Sequence, residues 1–563
     1  MKVVIIGGVA GGATAAARIR RLDEQAEIVV LERSGFISYA NCGLPYYIGG
    51  VIQDQEELTL QTPQGFWDRF RIDVRVRHEA TAIHREEKTV TVKNLETGEV
   101  TTESYDKLIL APGARPTRPP IPGLDSDRLF SLRTVEDTLA IRTFVEREKP
   151  RTAVLAGGGF ISLELAENLA EMGVQVTIVQ RIPQVMHNLD YDMATFLHAH
   201  LRQKGMTLRL GASVAGFRQE GKTITTLVEG GADIPADLAI LAVGVTPEST
   251  LAQEAGLALG ARGSIAVNDW MQTSDPDIYA VGDAVEIPHL VTAQKTLISL
   301  AGPANKQGRV AADHLCGRAS RYPGAQGSSV IKVCDLTVAS TGLNEKSARE
   351  AGLAYEKIVL SPMNHAGYYP GGKMMTMKVL YEKGSLRILG AQIVGYEGVD
   401  KRIDVLATAM QMGGKVTDLT ELDLAYAPPY SSAKDPVNMA GFMAENIEAG
   451  LVKQFHWDQV ADLPRDGSVT LLDARTSMEY SGGCAQGFVN IPVDELRQRL
   501  GEIEPQKPVY VMCQSGLRSY LACRILAQHG YDCYNFSGGY RFYASVMLDQ
   551  LAAQSAYPCG VER

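Results

Sequence analysis

No two of the eight cysteines in this 563-residue chain are spaced as CxxC, and there are only 10 histidines and 3 tryptophans. Cysteine this sparse and scattered excludes a disulfide scaffold. Without paired cysteines or clustered histidines a zinc cluster has no ligand set, so no metal is expected. The cysteines read as thiols in a reducing compartment, which places the chain in the cytoplasm. No uncharged apolar run approaches the ~18 residues of a membrane span, so no membrane partner is expected. Positive charge is also short: 65 acids face 55 bases, a net charge of −10. That argues against a nucleic-acid partner but leaves room for a local basic pocket. The N-terminus MKVVIIGGVAGGATAAAR has the outline of a signal peptide. Its glycines and Arg18, Arg20 and Arg21 fit a strand, a turn and a helix better.

What is present is the composition of a globular chain, 45% hydrophobic and 21% charged. At about 100–200 residues per domain, the length predicts three to five domains. KVVIIGG reads as a buried parallel strand, followed by a glycine turn, an Ala-rich helix to about Arg21 and a second strand, EIVVLER. A related βαβ opening recurs as TAVLAGGGFISLELAENLAEMG and VQVTIVQR. LILAPGARP, ADLAILAVGVTP and DIYAVGDA are strands running into Pro/Gly turns. After about Gly327 the pattern changes to alternating strands and a helical run, an α+β pattern. Periodicity weakens from Glu445 to Pro464, and SVTLLDAR opens a further α/β unit.

Gly7-Gly8-Val9-Ala10-Gly11-Gly12 follows a strand and opens a helix, where free backbone N–H groups and the helix dipole suit a pyrophosphate. Glu32, with Arg33 after it, ends the second strand, where an acid can bind ribose hydroxyls. Val9 replaces the middle glycine of G-x-G-x-x-G. With TSDPDIYAVGDA and LILAPGA in the expected order, the chain resembles the pyridine nucleotide–disulfide oxidoreductases. The resemblance implies an FAD site. It places Asp283 on the ribityl chain, with Ala284 beside it, and Ala111 and Gly113 in the connecting motif. The second turn, containing Gly157, Gly159 and Ser162 with Glu164 after it, implies an NAD(P)H site. Its second strand ends in Gln180 and Arg181. No acid stands there to take a ribose 2′-OH, and Arg181 can pair with a 2′-phosphate, so NADH and NADPH both stay open.

FISYANCGLPYYIGG carries a single cysteine, Cys42. A thiolate beside a flavin can attack a sulfur–sulfur bond or pass through a sulfenic acid. The stretch resembles the single-cysteine branch of the family, the coenzyme A-disulfide reductases and their relatives. There the cysteine forms a mixed disulfide with coenzyme A. NAD(P)H oxidases and peroxidases of the same branch are the alternative. Coenzyme A is anionic, and the resemblance implies that Arg18, Arg21, Ser38, Asn41 and Arg309 contact it. HAGYYPGG and AYAPPYSSAKDP resemble dimerisation-domain motifs, which implies a homodimer. In it Tyr368 and Tyr426 reach the partner's site and assist the leaving thiolate.

VYVMCQSGLRS is a strand, Cys513, a short loop with Gly516 and Arg518, then a helix. Backbone N–H groups curled around a sulfur, with an arginine nearby, stabilise a thiolate. Tyrosine phosphatases share this unit, but LLDARTSMEY, FVNIPVDEL and FSGGYRFY resemble rhodanese domains. There the cysteine carries a sulfane sulfur, and Asp473 and Arg475 match a structural pair. Cys484 stands where rhodaneses often have histidine. Cys523 and Cys533 read as core, and Cys559 as a free exposed thiol.

The expected fold class is α/β: two Rossmann-like nucleotide-binding domains, an α+β dimerisation domain and a C-terminal rhodanese-like α/β domain. The expected boundaries are 1–150 and 241–326 for the FAD domain, 151–240 for the NAD(P)H domain and 327–446 for dimerisation. Residues 447–465 form a linker and 466–563 the rhodanese domain. The resemblance is to coenzyme A-disulfide reductase/rhodanese fusions. It implies FAD, NAD(P)H and coenzyme A as cofactors, and CoA disulfide, CoA persulfide or polysulfide as substrates. The direction of sulfur flow between Cys42 and Cys513 stays open.

Overall fold

The structure, a computed structural model, describes residues 1–554; Cys559 lies outside the described residues. The chain divides into two compact units, Met1–Pro183 with Arg209–Gly327, and Gln184–Leu208 with Ser328 onward. Among the described residues no helix is long and apolar enough to cross a membrane.

The first unit is built on parallel sheets. One has the strand order Ile278–Ala280, Lys107–Leu110, Lys2–Ile6, Glu27–Glu32, Asp73–Val76. Val3–Ile6 are apolar on both faces because both faces are covered, the usual state of a parallel strand. The chain leaves this sheet after Leu110 and returns to it at Ile278. In between it forms a second parallel set around Thr152–Ala156, flanked by Gln175–Gln180 and by Leu238–Leu241, which pairs in turn with Leu129–Phe130. Helix Ala10–Leu22 packs against helix Ala301–Leu315 at glycine: a Cβ on Gly308 would sit 2.3 Å from the Gly11 carbonyl oxygen.

The second unit holds an antiparallel sheet ordered Ser329–Val333, Leu336–Gly342, Ile388–Gly395, Met375–Glu382, Tyr355–Leu360. Helices Val399–Gln411 and Pro436–Glu448 contribute to its core. A parallel sheet follows, ordered Lys453–Phe455, Cys533–Phe536, Val509–Met512, Thr470–Asp473, Val489–Asn490. Residues 453–455 lie in the stretch expected as a linker, yet form the edge strand of this sheet. Three residues are too short to show periodicity, and strand 533–536 supplies their hydrogen bonds.

Strand Met375–Glu382 carries Lys378 with no solvent exposure. Its ammonium lies 2.9 Å from Asp190 and 2.8 Å from Asp192, and it also bonds Glu345. These acids cluster as metal ligands would, but here the lysine is the cation. Burial disfavours the ammonium, yet the three carboxylates hold it firmly protonated. Burial likewise opposes the Glu345 carboxylate, and Lys378 and Lys357 prevail, holding it well below the usual range. Trp457 Nε1 donates to Asp192 Oδ2 at 3.0 Å and Gln392 Nε2 to Asp190 Oδ2 at 2.7 Å, so the network reaches both sheets. Removing one partner of a buried ion cluster strands the others. Lys378→Met is therefore expected to destabilise this unit by about 3–5 kcal/mol. Urea unfolding followed by tryptophan fluorescence checks this, and an unchanged midpoint would refute it.

Candidate active site

The three glycine-containing stretches of the first unit converge. Gly7 has φ +102°, and a Cβ there would meet the Ala111 carbonyl oxygen at 2.1 Å. A Cβ on Gly12 would meet the Gly7 oxygen at 1.9 Å, and one on Gly11 would meet Val281 Cγ2 at 2.8 Å. Only glycine allows these approaches. Val9 caps helix Ala10–Leu22 without a side-chain hydrogen bond, which leaves the helix N–H groups to a ligand. Glu32 is buried. It accepts from Gly8 N–H at 2.9 Å and Ser34 N–H at 2.8 Å, and burial pushes its carboxyl up. Asp283 lies in the turn Gly282–Ala284, beside fully buried Ala284, and accepts from Arg133 Nη2 at 2.7 Å. Arg133 Nη2 also lies 3.4 Å from the Cβ position of Gly113. Arg133 thus bridges two of the motifs. Sequence reading missed it because its partner is 150 residues away. Arg33 is half exposed, 4.0 Å from Glu248.

The second turn repeats the first with one substitution. Gly157 has φ +116°, and a Cβ there would meet the Ala242 oxygen at 2.2 Å. Ser162 replaces the third glycine and turns the tight approach into a bond, Oγ donating to the Gly157 oxygen at 2.6 Å. Gly159 caps helix Phe160–Glu171, and its Cβ position faces open space. Gln180 ends its strand and takes the Arg181 N–H at 3.1 Å; Arg181 is exposed. Both turns fit dinucleotide pyrophosphates: uncapped helix N-termini, close backbone, and clear space at Gly159. Glu32 and Asp283 are the candidate carboxylates for a first ligand, and in this structure they are engaged by Gly8 and Ser34 N–H and by Arg133.

Cys42 lies in the turn Asn41–Gly43 that leads into helix Leu44–Ile48. The segment is tied to the first glycine turn by Ser38, whose N–H donates to the Gly8 oxygen at 2.8 Å and whose φ is +45°. It also abuts the helix after the second turn, since a Cβ on Gly49 would meet Asn168 Oδ1 at 2.1 Å. Asn41 Oδ1 is buried without a hydrogen-bond partner among the described residues. Cys42 is an exposed residue, yet the protein on one side desolvates its thiol and pushes it up. The Glu164 carboxylate adds to this and Arg133 opposes it. Glu164 itself is pushed up to about 7 by burial and by Glu167.

The basic residues expected near this site are not equally free. Arg18 is committed to Asp313, with Nε and Nη2 each 2.7 Å from Oδ1. Arg309 is mostly exposed, 4.0 Å from the same carboxylate, and Arg21 is exposed. In the second unit, Tyr368 and Tyr426 share a 2.7 Å hydrogen bond between exposed hydroxyls. Arg402, 1% exposed, ties their loops together by donating to the Asn364 oxygen at 2.9 Å and to Ser431 Oγ and Asp435 Oδ2 at 3.1 Å each.

Cys513 ends strand Val509–Met512, fully buried. Gly516 N–H donates to its sulfur at 3.1 Å and Ser519 Oγ at 3.2 Å. Ser519, on the first turn of helix Leu517–Gln528, reaches the sulfur only through the fold of the loop before it. Arg518 is not a free charge at this loop. It pairs with Glu479 through bonds of 2.6 and 2.7 Å, holding that carboxyl down to about 2. Buried Arg475 pairs with Asp473 at 2.7 Å, donates to the Gly483 oxygen at 2.7 Å and lies 4.0 Å from the Tyr540 ring centroid. Cys484, beside Gly483, is exposed, while Cys523 and Cys533 are buried.

Two nucleotide-type turns beside a lone cysteine, with a second cysteine in an anion-type loop, define a flavin- and nicotinamide-dependent oxidoreductase joined to a sulfurtransferase-type domain. Comparison with known proteins agrees. Residues 1–308 match the pyridine nucleotide-disulphide oxidoreductase family, 328–436 its dimerisation domain and 456–545 the rhodanese-like domain. The chain belongs to the pyridine nucleotide-disulphide oxidoreductases, which use FAD and NAD(P)H, in the form that carries a rhodanese domain. It is 38% identical over 445 residues to a coenzyme A disulfide reductase of Staphylococcus epidermidis, covering 79% of this chain and 100% of that protein. The reduced Bacillus anthracis CoADR-RHD is 48% identical, with a TM-score of 0.95, covering 97% of this chain and 98% of that one. A NAD-dependent persulfide reductase from A. fulgidus is 39% identical, with a TM-score of 0.90, covering 96% and 100%.

The Glu164 charge raises the Cys42 thiol only above about pH 7, where that carboxyl is ionised. Removing it favours the thiolate. In Glu164→Gln, the pH profile of Cys42 alkylation in the NADH-reduced enzyme is expected to move to lower pH. A profile that stays in place would show that the two groups are not coupled.

Proposed function

We propose that this protein is an NAD(P)H-dependent reductase of CoA disulfide, CoA persulfide or polysulfide. Cys42 is its sulfur nucleophile, and the rhodanese-like domain loads sulfane sulfur on Cys513. The observation that carries the reading is the isolation of Cys42. It is an exposed thiol on the segment that Ser38 ties to the first glycine turn, with no second cysteine in its own motif to complete a disulfide. The other half of the sulfur–sulfur bond then comes from the substrate.

Bound FAD and NAD(P)H supply the electron pair. Cys42 gives up its proton, for which Glu164, titrating near neutrality, is the nearby acceptor. The thiolate attacks the CoA-bound sulfur of a CoA persulfide, forming a Cys42–S–S–CoA mixed disulfide and releasing sulfide. With CoA disulfide the leaving group is CoA thiolate. Two electrons then cleave the mixed disulfide to the Cys42 thiolate and CoA thiol. Arg21 and Arg309 remain exposed for the anionic groups of coenzyme A, while Arg18 orients through Asp313. The Tyr368–Tyr426 pair, exposed in one chain, acts on the partner subunit's site in a homodimer. At Cys513 two donors stabilise the sulfur as thiolate or persulfide. The absence of an acid at Gln180 and the exposed Arg181 favour acceptance of NADPH beside NADH.

The test is anaerobic oxidation of NADH and NADPH with CoA persulfide and with CoA disulfide, sulfide being measured. Cys42→Ser is expected to lose about 10³-fold or more in turnover, as removal of a nucleophile does. Cys513→Ser is expected to be unchanged with free CoA persulfide and inactive when sulfane sulfur is supplied as thiosulfate. Oxygen or peroxide consumption without turnover of any CoA species would replace this reading with an oxidase.

A further inference from the structure

The fully buried arginines of the second unit are each paired with a carboxylate. Arg402 pairs with Asp435 and bonds four further oxygens, and Arg475 pairs with Asp473 and bonds the Gly483 oxygen. Arg541 differs. It lies in the first turn of helix Gly539–Gln554, where desolvation pushes its guanidinium down. Its side chain donates to Thr376 Oγ1 at 3.1 Å and lies 5.1 Å from the Phe196 ring centroid. No carboxylate pairs with it among the described residues. A desolvated cation with one neutral acceptor retains unused donors and an unbalanced charge.

Arg541 lines a cavity of about 160 Å³ that also takes in His200, Gln203, Tyr396 and the apolar side chains of Leu336 and Met374. At ~30 Å³ per water, this is room for about five waters or one compact polyatomic ion. Arg541 is the charged residue of the lining, no carboxylate lines the cavity among the described residues, and the other charges stand behind the lining side chains. Lys373 Nζ lies 5.8 Å from the Tyr396 ring centroid. Asp335 is the acid beside His200, 3.0 Å from Nε2, and its same oxygen is 2.7 Å from Lys204 Nζ. His200, packed edge-on against Tyr396, is lowered by burial, more than Asp335 restores, so it presents a neutral ring that can donate or accept.

We propose that this cavity binds a compact tetrahedral oxyanion, of the sulfate, thiosulfate or phosphate class, with Arg541 as its principal charge and Gln203 and Tyr396 as neutral donors. The site is separate from Cys42 and does not depend on Cys513 as a sulfur carrier. It adjoins the Cys513 loop through the main chain: Tyr540 N–H donates to the Cys513 oxygen at 2.6 Å and Arg541 N–H to the Gln514 oxygen at 3.2 Å. An anion that holds the Arg541 side chain therefore steadies the turn that frames this loop.

The test uses full-length FAD-loaded protein at constant ionic strength, with chloride replaced by sulfate, phosphate or thiosulfate. A saturable rise in melting temperature with sulfate is expected in the wild type and equally in Cys513→Ser, which separates this site from sulfur loading. Arg541→Gln is expected to weaken apparent affinity about tenfold or more, the effect of losing one charge-assisted contact, and Arg541→Lys to restore part of it. A response to thiosulfate alone, lost in Cys513→Ser, would assign binding to the cysteine and overturn the proposal. So would an absent sulfate response in the wild type, or an undiminished one in Arg541→Gln. Wild-type crystals soaked in selenate give a check independent of variant folding: anomalous density at the guanidinium supports the site, and density elsewhere only overturns it.

Discussion

A single buried ammonium organises the C-terminal half of this molecule. Lys378 sits in the middle of a strand covered on both faces, where a charge is tolerated only because three carboxylates surround it. Two of the three, Asp190 and Asp192, come from a segment that in sequence belongs between strands of the second nucleotide-binding region. The third, Glu345, opens a helix of the dimerisation region. Trp457 extends the network to the start of the rhodanese-like region. Apolar packing could fill the same space, but it would not select these partners. A cation that needs three particular anions does.

Helix Tyr191–Gln203 adds a second polar tie in the same unit. His198, Arg202 and Tyr191 all converge on Asp549 of the last helix, at 3.0, 2.5 and 2.9 Å. Burial would raise the Asp549 carboxyl, but the contacts with His198, Arg202 and Tyr191 prevail and hold it down to about 2. The rhodanese-like region is thus joined to helix Tyr191–Gln203, and through Trp457 and Asp192 to Lys378 of the dimerisation region, by directional bonds as well as by chain connection.

The two cysteines given sulfur roles sit in opposite environments. Cys42 is exposed yet crowded on one side, near a carboxylate, in surroundings that favour the protonated thiol. Cys513 is wholly buried with two donors aimed at its sulfur. The first arrangement favours the protonated thiol, with Glu164 beside it. The second sets two hydrogen-bond donors against a buried sulfur. Arg518, read from the loop sequence as a charge for that sulfur, spends its guanidinium on Glu479. Its charge is still felt by Cys513, and Gly516 and Ser519 add hydrogen bonds to the sulfur.

Much of the site was legible as local pattern. Gly7, Gly12 and Gly157 mark turns whose backbone excludes a Cβ. Glu32 and Gln180 mark strand ends, and Cys42 and Cys513 stand in short motifs whose neighbours are contiguous. These are constraints within a few residues, and the amino-acid order alone determines them, along with the alternation of strand and helix that set the α/β class. Arg133 beside Asp283, Asp313 against Arg18, Glu479 against Arg518 and the acids around Lys378 were beyond such reading. Each joins residues far apart in the chain, and either partner alone resembles an ordinary surface charge. Which cations are balanced and which, like Arg541, remain unbalanced is a property of distance in space. Only the tertiary structure decided it, because Coulomb energy and desolvation depend on what lies within a few ångströms and not on position along the chain.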